Sequence, residues 1–378
     1  MEINQMKAAV VGCGVISNTY IPNLQNKFKI INVVACSNRS PKRAEQTAAA
    51  YNIKALSYEE ILKDPSIEMI INLTPPAAHY PVTKQALEHG KHVFTEKMIA
   101  VELAEGKELL EIARKNKVRL GAAPDTFLGS SIQTSKYIVE KGLIGTPLSA
   151  VVSLNRNSDI FADLLPHMNR KGGTLPFDMG GYYLTALASI LGPAKRITAF
   201  SQKFNPDRIG KRVDKPWFKE PVHVEDDNIM TALIEYESGV LCTAHFNSES
   251  IINEQPHLEI YGTDGILLMG DPNAFGSPVY LQKPFAAPIQ FPSTHGYSEN
   301  SRGVGAAEMA WAIRQNRPHR ASMEMAYHVF EMVHGMYISS QTQQIYTLQS
   351  TFKIPDALPA GYIDNGFWGP TEESALSF

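Results

Sequence analysis

The chain has 378 residues, which suggests about two domains, and its 44% hydrophobic content can fill two cores. Lysine and arginine total 35 against 38 aspartates and glutamates, and this near balance predicts neither nucleic acid nor a membrane surface as a partner. No apolar run approaches the ~20 residues of a membrane helix, and no secretion leader is expected before the first strand, so the predicted location is the cytoplasm. The three cysteines, Cys13, Cys36 and Cys242, form no C-x-x-C pair and are expected to be free, buried thiols.

An apolar strand near the N-terminus runs directly into a glycine turn. The turn reads Gly12, Cys13, Gly14, Val15, Ile16 and Ser17. In a dinucleotide-binding G-x-G-x-x-G turn, Gly12 would permit the tight bend and Gly14 would let a pyrophosphate approach the backbone. Ser17 takes the third small position, where the helix must lie close to the strand. By itself the turn is equally typical of a plain strand-to-helix connection.

Alternating strands and helices follow this turn. Strands are predicted at residues 30–36, 69–73, 92–95 and 118–122, and helices at 41–51, 81–90 and 101–116. This is the βαβ rhythm of a parallel sheet. We therefore predict a doubly wound dinucleotide-binding (Rossmann) domain over residues 1–125.

The pattern changes at about residue 148 to longer alternating strands joined by tight turns. Strands are predicted at 148–155, 196–204, 229–236, 240–247, 258–261 and 266–269, with hairpin turns at 237–239 and 262–265 and helices at 303–316 and 323–341. Residues 126–378 are thus predicted to form an α+β substrate-binding and oligomerisation domain on a large open antiparallel sheet. A second subunit is expected to cover the free face of this sheet, as a homodimer or homotetramer.

Four motifs in this order resemble one known family. They are the glycine turn at Gly12, the run Thr74-Pro75-Pro76-x-x-His79, the segment 90–97 that ends in Glu96-Lys97, and the segment 172–182 that contains Asp178 and Tyr182. The family comprises glucose-fructose oxidoreductase, inositol dehydrogenase and MocA (Gfo/Idh/MocA), and the resemblance covers nearly the whole chain. It implies a nicotinamide cofactor at the strand ends of the first domain and a sugar or polyol substrate between the domains.

Lys97 directly follows a predicted parallel strand. Ligands of open α/β sheets bind just beyond the carboxyl ends of the strands, which would place this ammonium near the nicotinamide. A Glu-Lys pair alone is usually a solvated turn, but the family has a functional Glu-Lys-Pro motif at this point. Met98 stands where the family has proline, so the backbone geometry that the proline provides must be achieved otherwise.

Asp178 and Tyr182 are spaced to share one face of a helix predicted over residues 177–191. Periodicity alone leaves a solvent face and a cleft face equally open. The family uses the same aspartate and a histidine or tyrosine four residues later, which favours Tyr182 as a functional group. Tyr183 points about 100° away on such a helix and is expected to pack in the core.

These groups suit hydride transfer, in which an alcohol loses a proton from oxygen as its carbon gives up hydride. We expect Tyr182 to carry the proton, Lys97 to act as its electrostatic partner, and Asp178 to anchor a neighbouring substrate hydroxyl. Near an oxidised nicotinamide the pKa of Lys97 is expected to be lowered. Next to the ammonium, Tyr182 is expected to ionise more easily.

The second predicted strand ends without an acidic residue. Residues 29–44 contain no aspartate or glutamate, and Asn38 stands where an acid would take the adenosine ribose hydroxyls of NAD. Arg39, Lys42 and Arg43 follow and would bind a 2′-phosphate. The alternative is a basic, solvated helix start. We predict a preference for NADP, with NAD as the second possibility.

Further candidates lie past strand ends and in one loop. Thr74, Pro75 and Pro76 would wall the nicotinamide, whereas for His79 a structural role at the helix start is nearly as well supported. Asp163 and His167 lie in a polar loop and are predicted substrate contacts, although loops are polar in any case. The eleven histidines show no metal-ligand spacing, so no metal is predicted. The segment Asp271-Pro-Asn273 is predicted to be a turn.

Three functions remain open at this point. The first is a dehydrogenase or ketoreductase that acts on a sugar, sugar acid or cyclitol. The second is a glycosidase that uses a tightly held nicotinamide for transient oxidation. The third is a non-enzymatic NADP-binding regulator.

Overall fold

The computed structural model describes residues 4–157, 166–251 and 257–360. Six strands form the N-terminal sheet: β1 (Met6–Val11), β2 (Ile31–Ser37), β3 (Lys54–Ala55), β4 (Met69–Asn72), β5 (His92–Thr95) and β6 (Leu120–Ala122). Their order is β3-β2-β1-β4-β5-β6 and every neighbouring pair is parallel. This is the Rossmann order. The order in which strands are added to the sheet reverses between β1 and β4, and this reversal leaves a crevice at the carboxyl ends of the two strands.

Five helices connect these strands: α1 (Ser17–Asn26), α2 (Pro41–Tyr51), α3 (Tyr58–Lys63), α4 (Pro76–Glu88) and α5 (Leu103–Lys115). Pro41 and Pro76 open their helices, where a missing N–H group costs nothing. Ser57 and Glu60 form a capping box at the start of α3. All four residues of β4 are buried, as expected for a central strand that is covered on both faces.

Eleven strands are described in the second half of the chain: β7 (Pro147–Asn155), β8 (Ala194–Gln202), β9 (Asp207–Ile209), β10 (Pro221–His223), β11 (Ile229–Tyr236), β12 (Leu241–Asn247), β13 (His257–Gly262), β14 (Ile266–Met269), β15 (Tyr280–Gln282), β16 (Ile289–Gln290) and β17 (Tyr346–Thr347). Nine of them form one sheet in the order β16-β15-β14-β13-β7-β12-β11-β8-β17, and β9 and β10 form a separate ribbon. Within the large sheet β7 and β12 are parallel, and the other neighbouring pairs are antiparallel.

The helices described in this half are α6 (Ser130–Glu140), α7 (Leu175–Asp178), α8 (Gly180–Leu191), α9 (Val304–Arg314) and α10 (Met323–Thr342). Alternate residues of β11 and β12 are buried, so one face of the large sheet belongs to the core. Helix α10 packs on β8 and on α8, whereas α9 packs against β6 of the first sheet. The last helices therefore join the two halves of the molecule.

A buried carboxylate fixes the start of α9. Asp125 lies in a short 3₁₀ turn after β6, and its Oδ2 accepts the backbone N–H groups of Gly303 and Gly305 at 2.8 and 3.0 Å. Burial raises the pKa of Asp125 to about 6, although the two N–H donors oppose this shift. These bonds place the residue before Gly303 at the mouth of the crevice.

The six long strands predicted for the second half are confirmed, each to within two residues at either end. The helix predicted over 177–191 is wrong in one respect, because Met179 separates α7 from α8. The helix predicted from Pro81 begins instead at Pro76 and runs through Pro81. The three cysteines are free and buried, as predicted. Among the described residues, no helix is both long enough and apolar enough to cross a bilayer.

Candidate active site

A cavity of about 1820 Å³ lies between the carboxyl ends of β1, β2, β4 and β5 and residues of the second half. Gly12, Lys97 and Tyr182 all line it. A volume of this size exceeds the ~300–1,000 Å³ of a typical small-molecule pocket. It has room for a dinucleotide together with a second, smaller molecule.

The glycine turn forms one end of the cavity. Gly12 has a φ of 104°, and a Cβ on it would lie 2.6 Å from the Leu73 carbonyl carbon and 2.7 Å from the Thr74 nitrogen. Only glycine fits this position. A Cβ on Gly14 would meet nothing within 4 Å, so the backbone at Gly14 is open to an incoming ligand. Helix α1 then begins at Ser17 with no acidic side chain in its first turn to repel an anion. The N–H groups of Ser17, Asn18 and Thr19 donate to the carbonyl oxygens of Gly14, Val15 and Ile16.

Asn38 and the basic residues after β2 lie beside this turn. Asn38 Oδ1 accepts the Cys13 N–H at 3.1 Å, so the asparagine braces the glycine turn. Arg39 and Arg43 line the cavity together with Asn38, whereas Lys42 is exposed outside it. Val15 and Ile16 also line it. Cys13 is buried beneath the turn and its thiol donates to the Ser37 carbonyl at 3.5 Å.

Thr74, Pro75, Pro76 and His79 form the wall after β4. The buried Asn72 orders this wall, because its Oδ1 accepts from the Thr74 hydroxyl at 2.6 Å and its Nδ2 donates to the His79 carbonyl at 3.1 Å. The ring nitrogens of His79 lie 2.6 Å from the carbonyl oxygens of Met98 and Thr74. Burial lowers the pKa of His79. The histidine thus ties the backbone after Lys97 to the wall, at the position where the family has proline.

Lys97 and Asp178 form a close ion pair at the centre of the cavity. Lys97 Nζ lies 2.5 Å from Asp178 Oδ1 and donates to the Asp178 carbonyl oxygen at 2.5 Å. The two side chains are only 14% and 21% exposed. Burial lowers the pKa of Lys97, but Asp178, Tyr182 and Glu96 together outweigh it and the pKa lies above its usual range. The lowered Lys97 pKa expected next to an oxidised nicotinamide stays a prediction.

Tyr182 lies directly below this ion pair. Lys97 Nζ is 5.1 Å from the centroid of the Tyr182 ring, and the tyrosine is 7% exposed. Burial raises the pKa of Tyr182, while the charge of Lys97 lowers it. The predicted lowering of the Tyr182 pKa by the ammonium is present, but burial raises this pKa by more than the ammonium lowers it. Tyr183 is fully buried, as predicted for a packing residue.

Glu96 and His167 complete the predicted set, and Asp163 lies outside the described residues. Glu96 Oε1 accepts the Tyr20 hydroxyl at 2.6 Å, and Glu96 Oε2 accepts the backbone N–H of Lys97 at 3.0 Å. His167 lies in a short 3₁₀ turn that lines the cavity. Burial lowers the pKa of His167, so the imidazole is a neutral hydrogen-bonding group near pH 7.

Sequence reasoning missed four polar residues of the opposite wall: Arg156, Asp271, Asn273 and Arg302. Asp271 Oδ1 accepts the Asn273 N–H at 2.9 Å, so the predicted turn is confirmed. The same Asp271 also accepts from the Tyr183 hydroxyl at 3.3 Å and lies 3.7 Å from Arg156. Only the turn composition at Asp271 was visible in the sequence. Nothing local marks Arg156 or Arg302, because strand pairing and the start of α9 bring them to the cavity.

Two family models match the chain. The model for the NAD-binding Rossmann fold of the Gfo/Idh/MocA oxidoreductase family matches residues 6–123, and the model for the C-terminal domain of that family matches residues 132–268. Together they cover more than half of the sequence.

Named relatives include enzymes that act on cyclitols and sugars. The NAD⁺-dependent scyllo-inositol 2-dehydrogenase of Bacillus subtilis is 24% identical over 280 residues, which are 71% of this chain and 74% of that protein. The NADP⁺-dependent D-xylose 1-dehydrogenase of Hypocrea jecorina is 33% identical over 167 residues, 40% of this chain and 42% of that protein. The crystal structure of the aldose-aldose oxidoreductase of Caulobacter crescentus superposes with a TM-score of 0.77, covers 91% of this chain and 100% of its own, and is 17% identical.

Proposed function

Because the chain belongs to the Gfo/Idh/MocA family of oxidoreductases, we propose that it transfers hydride between a nicotinamide cofactor and a carbinol or carbonyl carbon of a sugar, sugar acid or cyclitol. The observation that carries this proposal is the Lys97–Asp178 ion pair beside Tyr182, in the same cavity as the glycine turn. The relatives that act on inositol and xylose support the substrate class. They favour a dehydrogenase over the glycosidase and regulator alternatives.

The residues around the glycine turn fit a dinucleotide. Gly14 and the start of α1 would hold the pyrophosphate, and Thr74, Pro75 and Pro76 would flank the nicotinamide. When bound, the cofactor supplies the hydride acceptor or donor. The protein's own groups must therefore orient the substrate, handle the proton and exclude water.

Tyr182 is proposed as the group that holds the proton at its Oη. In the oxidative direction the phenolate would take the proton of the substrate hydroxyl, and in the reductive direction the phenol would return it. Lys97 stabilises the phenolate by charge, since its pKa keeps it protonated. Asp178 holds the ammonium above the ring and would bind a neighbouring substrate hydroxyl with its remaining acceptor capacity. His167 would contact the substrate from the facing loop.

NADP is the cofactor that the end of β2 favours. Arg39 and Arg43 line the cavity beside Asn38, and residues 38–44 contain no acidic side chain that would bind the ribose hydroxyls. Glu45, further along α2, also lines the cavity. Guanidinium groups bind a phosphate through charge-assisted hydrogen bonds. Since the relatives use NAD or NADP, this preference depends on these side chains alone.

A second copy of the chain is proposed to cover the outer face of the nine-stranded sheet. Phe200, Leu233 and Leu241 are 79%, 57% and 60% exposed and lie on this face across three neighbouring strands. In the register of the sheet Leu233 is a diagonal neighbour of both Phe200 and Leu241, and exposed apolar side chains grouped in this way mark an interaction surface. Light scattering should report a dimer or tetramer, and Leu233→Lys should shift it toward the monomer; a strictly monomeric wild type would contradict the proposal.

The function is tested by a screen of sugars, sugar acids and cyclitols with NAD⁺ and NADP⁺, followed through the absorbance of the reduced nicotinamide. We expect net reduction with at least one polyol and its loss in Tyr182→Phe. Turnover without net reduction, with cofactor that stays bound through purification, would instead indicate the glycosidase mechanism.

A further inference from the structure

Arg302 lines the cavity from the loop before α9. A short series of contacts connects it to α8, the helix that carries Tyr182. The hydroxyl of Tyr183 donates to Asp271 Oδ1 at 3.3 Å, and the same oxygen accepts the Asn273 N–H at 2.9 Å. Asn273 Oδ1 in turn accepts from Arg302 at 2.5 Å. Arg302 therefore belongs to the wall of the cavity on which Tyr182 lies.

Neutral oxygen atoms hold the Arg302 guanidinium in one orientation. One terminal nitrogen donates to the side-chain and carbonyl oxygens of Asn273 at 2.5 and 3.3 Å, and the other donates to Asn300 Oδ1 at 3.2 Å. The group also lies 5.9 Å from the centroid of the Phe275 ring. A guanidinium has five N–H donors, so these bonds do not exhaust it.

The positive charge of Arg302 has no carboxylate partner. Within the part of the chain that the structure describes, no Asp or Glu oxygen lies at ion-pair distance from its guanidinium. Asp125 is close along the loop, but its Oδ2 binds the N–H groups of Gly303 and Gly305 at 2.8 and 3.0 Å. Arg302 is also partly buried, and a partly buried cation is stabilised by a nearby negative charge.

The neighbouring cations of the same cavity are paired. Lys97 lies 2.5 Å from Asp178, and Arg156 lies 3.7 Å from Asp271. The amide side chains that hold Arg302 accept its hydrogen bonds without compensating its charge. This part of the cavity therefore offers one uncompensated positive charge to a ligand.

We propose that Arg302 binds a carboxylate of the substrate and so selects a sugar acid over the corresponding neutral sugar. A guanidinium binds a carboxylate through charge-assisted hydrogen bonds. One uncompensated charge matches a monoanion, whereas a phosphate ester carries about −1.5 to −2 charge at pH 7 and would exceed it. The inference rests on the proposed oxidoreductase function and names the substrate class of the same site.

The test compares matched acids and neutral compounds with NADP⁺: D-glucuronate with D-glucose, D-galacturonate with D-galactose, and D-gluconate with D-sorbitol. The wild type should have the higher kcat/KM on the acid. Arg302→Met should lower kcat/KM on the acid about ten- to hundredfold, chiefly through KM, and change the neutral partner by less than about twofold. Arg302→Lys should retain part of the preference, because it keeps the charge but loses the planar fork.

Two further variants separate charge from packing. Asn273→Asp places a carboxylate where the amide oxygen now lies 2.5 Å from Arg302, so it should weaken the acid although the guanidinium is kept. Lys27→Met is the matched control, since Lys27 donates to the Asn300 carbonyl at 2.9 Å but lies outside the cavity. It should leave the preference for the acid in place. Asn23 Nδ2 donates to the Arg302 carbonyl at 3.0 Å, so the loop stays anchored when the Arg302 side chain is replaced.

Calorimetric titration of D-gluconate and D-sorbitol into the protein saturated with NADPH gives a readout that does not need turnover. Tighter binding of the acid in the wild type, lost in Arg302→Met, supports the inference even if no compound of the panel is oxidised, in which case the proposed function fails alone. Equal binding of acid and neutral partner by the wild type, or equal losses on both in Arg302→Met, would overturn it. Tighter binding of D-glucose 6-phosphate than of D-glucuronate, or a loss of NADPH affinity in Arg302→Met as large as that for the acid, would assign Arg302 to a phosphate instead.

Discussion

The two walls of the cavity are built in different ways. The cofactor wall takes its residues from the ends of successive parallel strands: Gly12 follows β1, Asn38 follows β2, Thr74 follows β4, and Lys97 follows β5. The opposite wall combines Tyr182 from α8, Arg156 after β7, Asn273 after β14, and Arg302 before α9. Each residue of the first wall is positioned because it directly follows a strand. The residues of the second wall are brought together by the packing of segments that are distant in the sequence.

This contrast explains what a sequence reveals about each wall. The carboxyl ends of parallel strands meet at one edge of the sheet, so a polar residue that directly follows a strand in the sequence can be predicted to lie at this edge. In the second half of the chain, whether a residue lines the cavity depends on the order of the strands in the sheet and on which sheet each helix packs against. The difference can be tested by substitutions on each wall.

The largest effect is expected at the point where the walls meet. Tyr182→Phe removes only a hydroxyl, so cofactor binding should survive while turnover falls by roughly 10²–10⁴. Lys97→Met should do equal or greater damage, because Lys97 holds Asp178 as well as facing the ring. Turnover of the two single variants and the double variant on any active substrate measures this.

The double variant is the control for that experiment. If Tyr182 and Lys97 act on one oxygen, it should be little worse than the poorer single variant, as is usual for groups that work as a unit. Fully multiplicative losses would separate the two roles. Near-normal turnover of Tyr182→Phe would exclude the tyrosine as proton carrier and turn attention to His167.

The next effect concerns the cofactor wall alone. Gly12→Ala should cost at least about 1–3 kcal/mol of unfolding free energy, because φ is positive and the new Cβ would meet the backbone after β4. Gly14→Ala is the matched control, since its Cβ would project into open space. It should leave the melting temperature nearly unchanged and weaken dinucleotide binding. Thermal unfolding and cofactor titration of both variants separate the two roles, and equal melting temperatures would contradict this account of Gly12.

The sequence predicted most of the fold and one wall in detail. The glycine turn, the strands and Lys97 could be placed because each carries a local signal, such as periodicity or a turn residue. Arg302 could not, because its position depends on Asp125 binding the loop before α9 across the molecule. Short strands such as β16 gave no periodicity to detect.

Loss of a phosphate contact is the next test of the cofactor wall. Arg39→Ala should weaken NADP(H) binding by about ten- to a hundredfold, or roughly 1.5–3 kcal/mol, because a charge-assisted hydrogen bond is lost. Lys42→Ala is the control, since Lys42 lies outside the cavity. Titration of NADP(H) and NAD(H) into each protein is the measurement. A wild type that binds NAD(H) as tightly as NADP(H), or an Arg39→Ala variant with unchanged preference, would refute the cofactor assignment.

The smallest effect tests whether one residue after β2 sets the cofactor. Asn38→Asp keeps an oxygen that can accept the Cys13 N–H, so the glycine turn should hold its shape and the melting temperature should barely change. The added carboxylate can accept from both ribose hydroxyls of NAD(H) and repels a 2′-phosphate. We expect NAD(H) affinity to rise about three- to tenfold while NADP(H) affinity falls. If both affinities fall with the melting temperature unchanged, the carboxylate does not reach the ribose, and the NADP preference must then come from elsewhere on the wall.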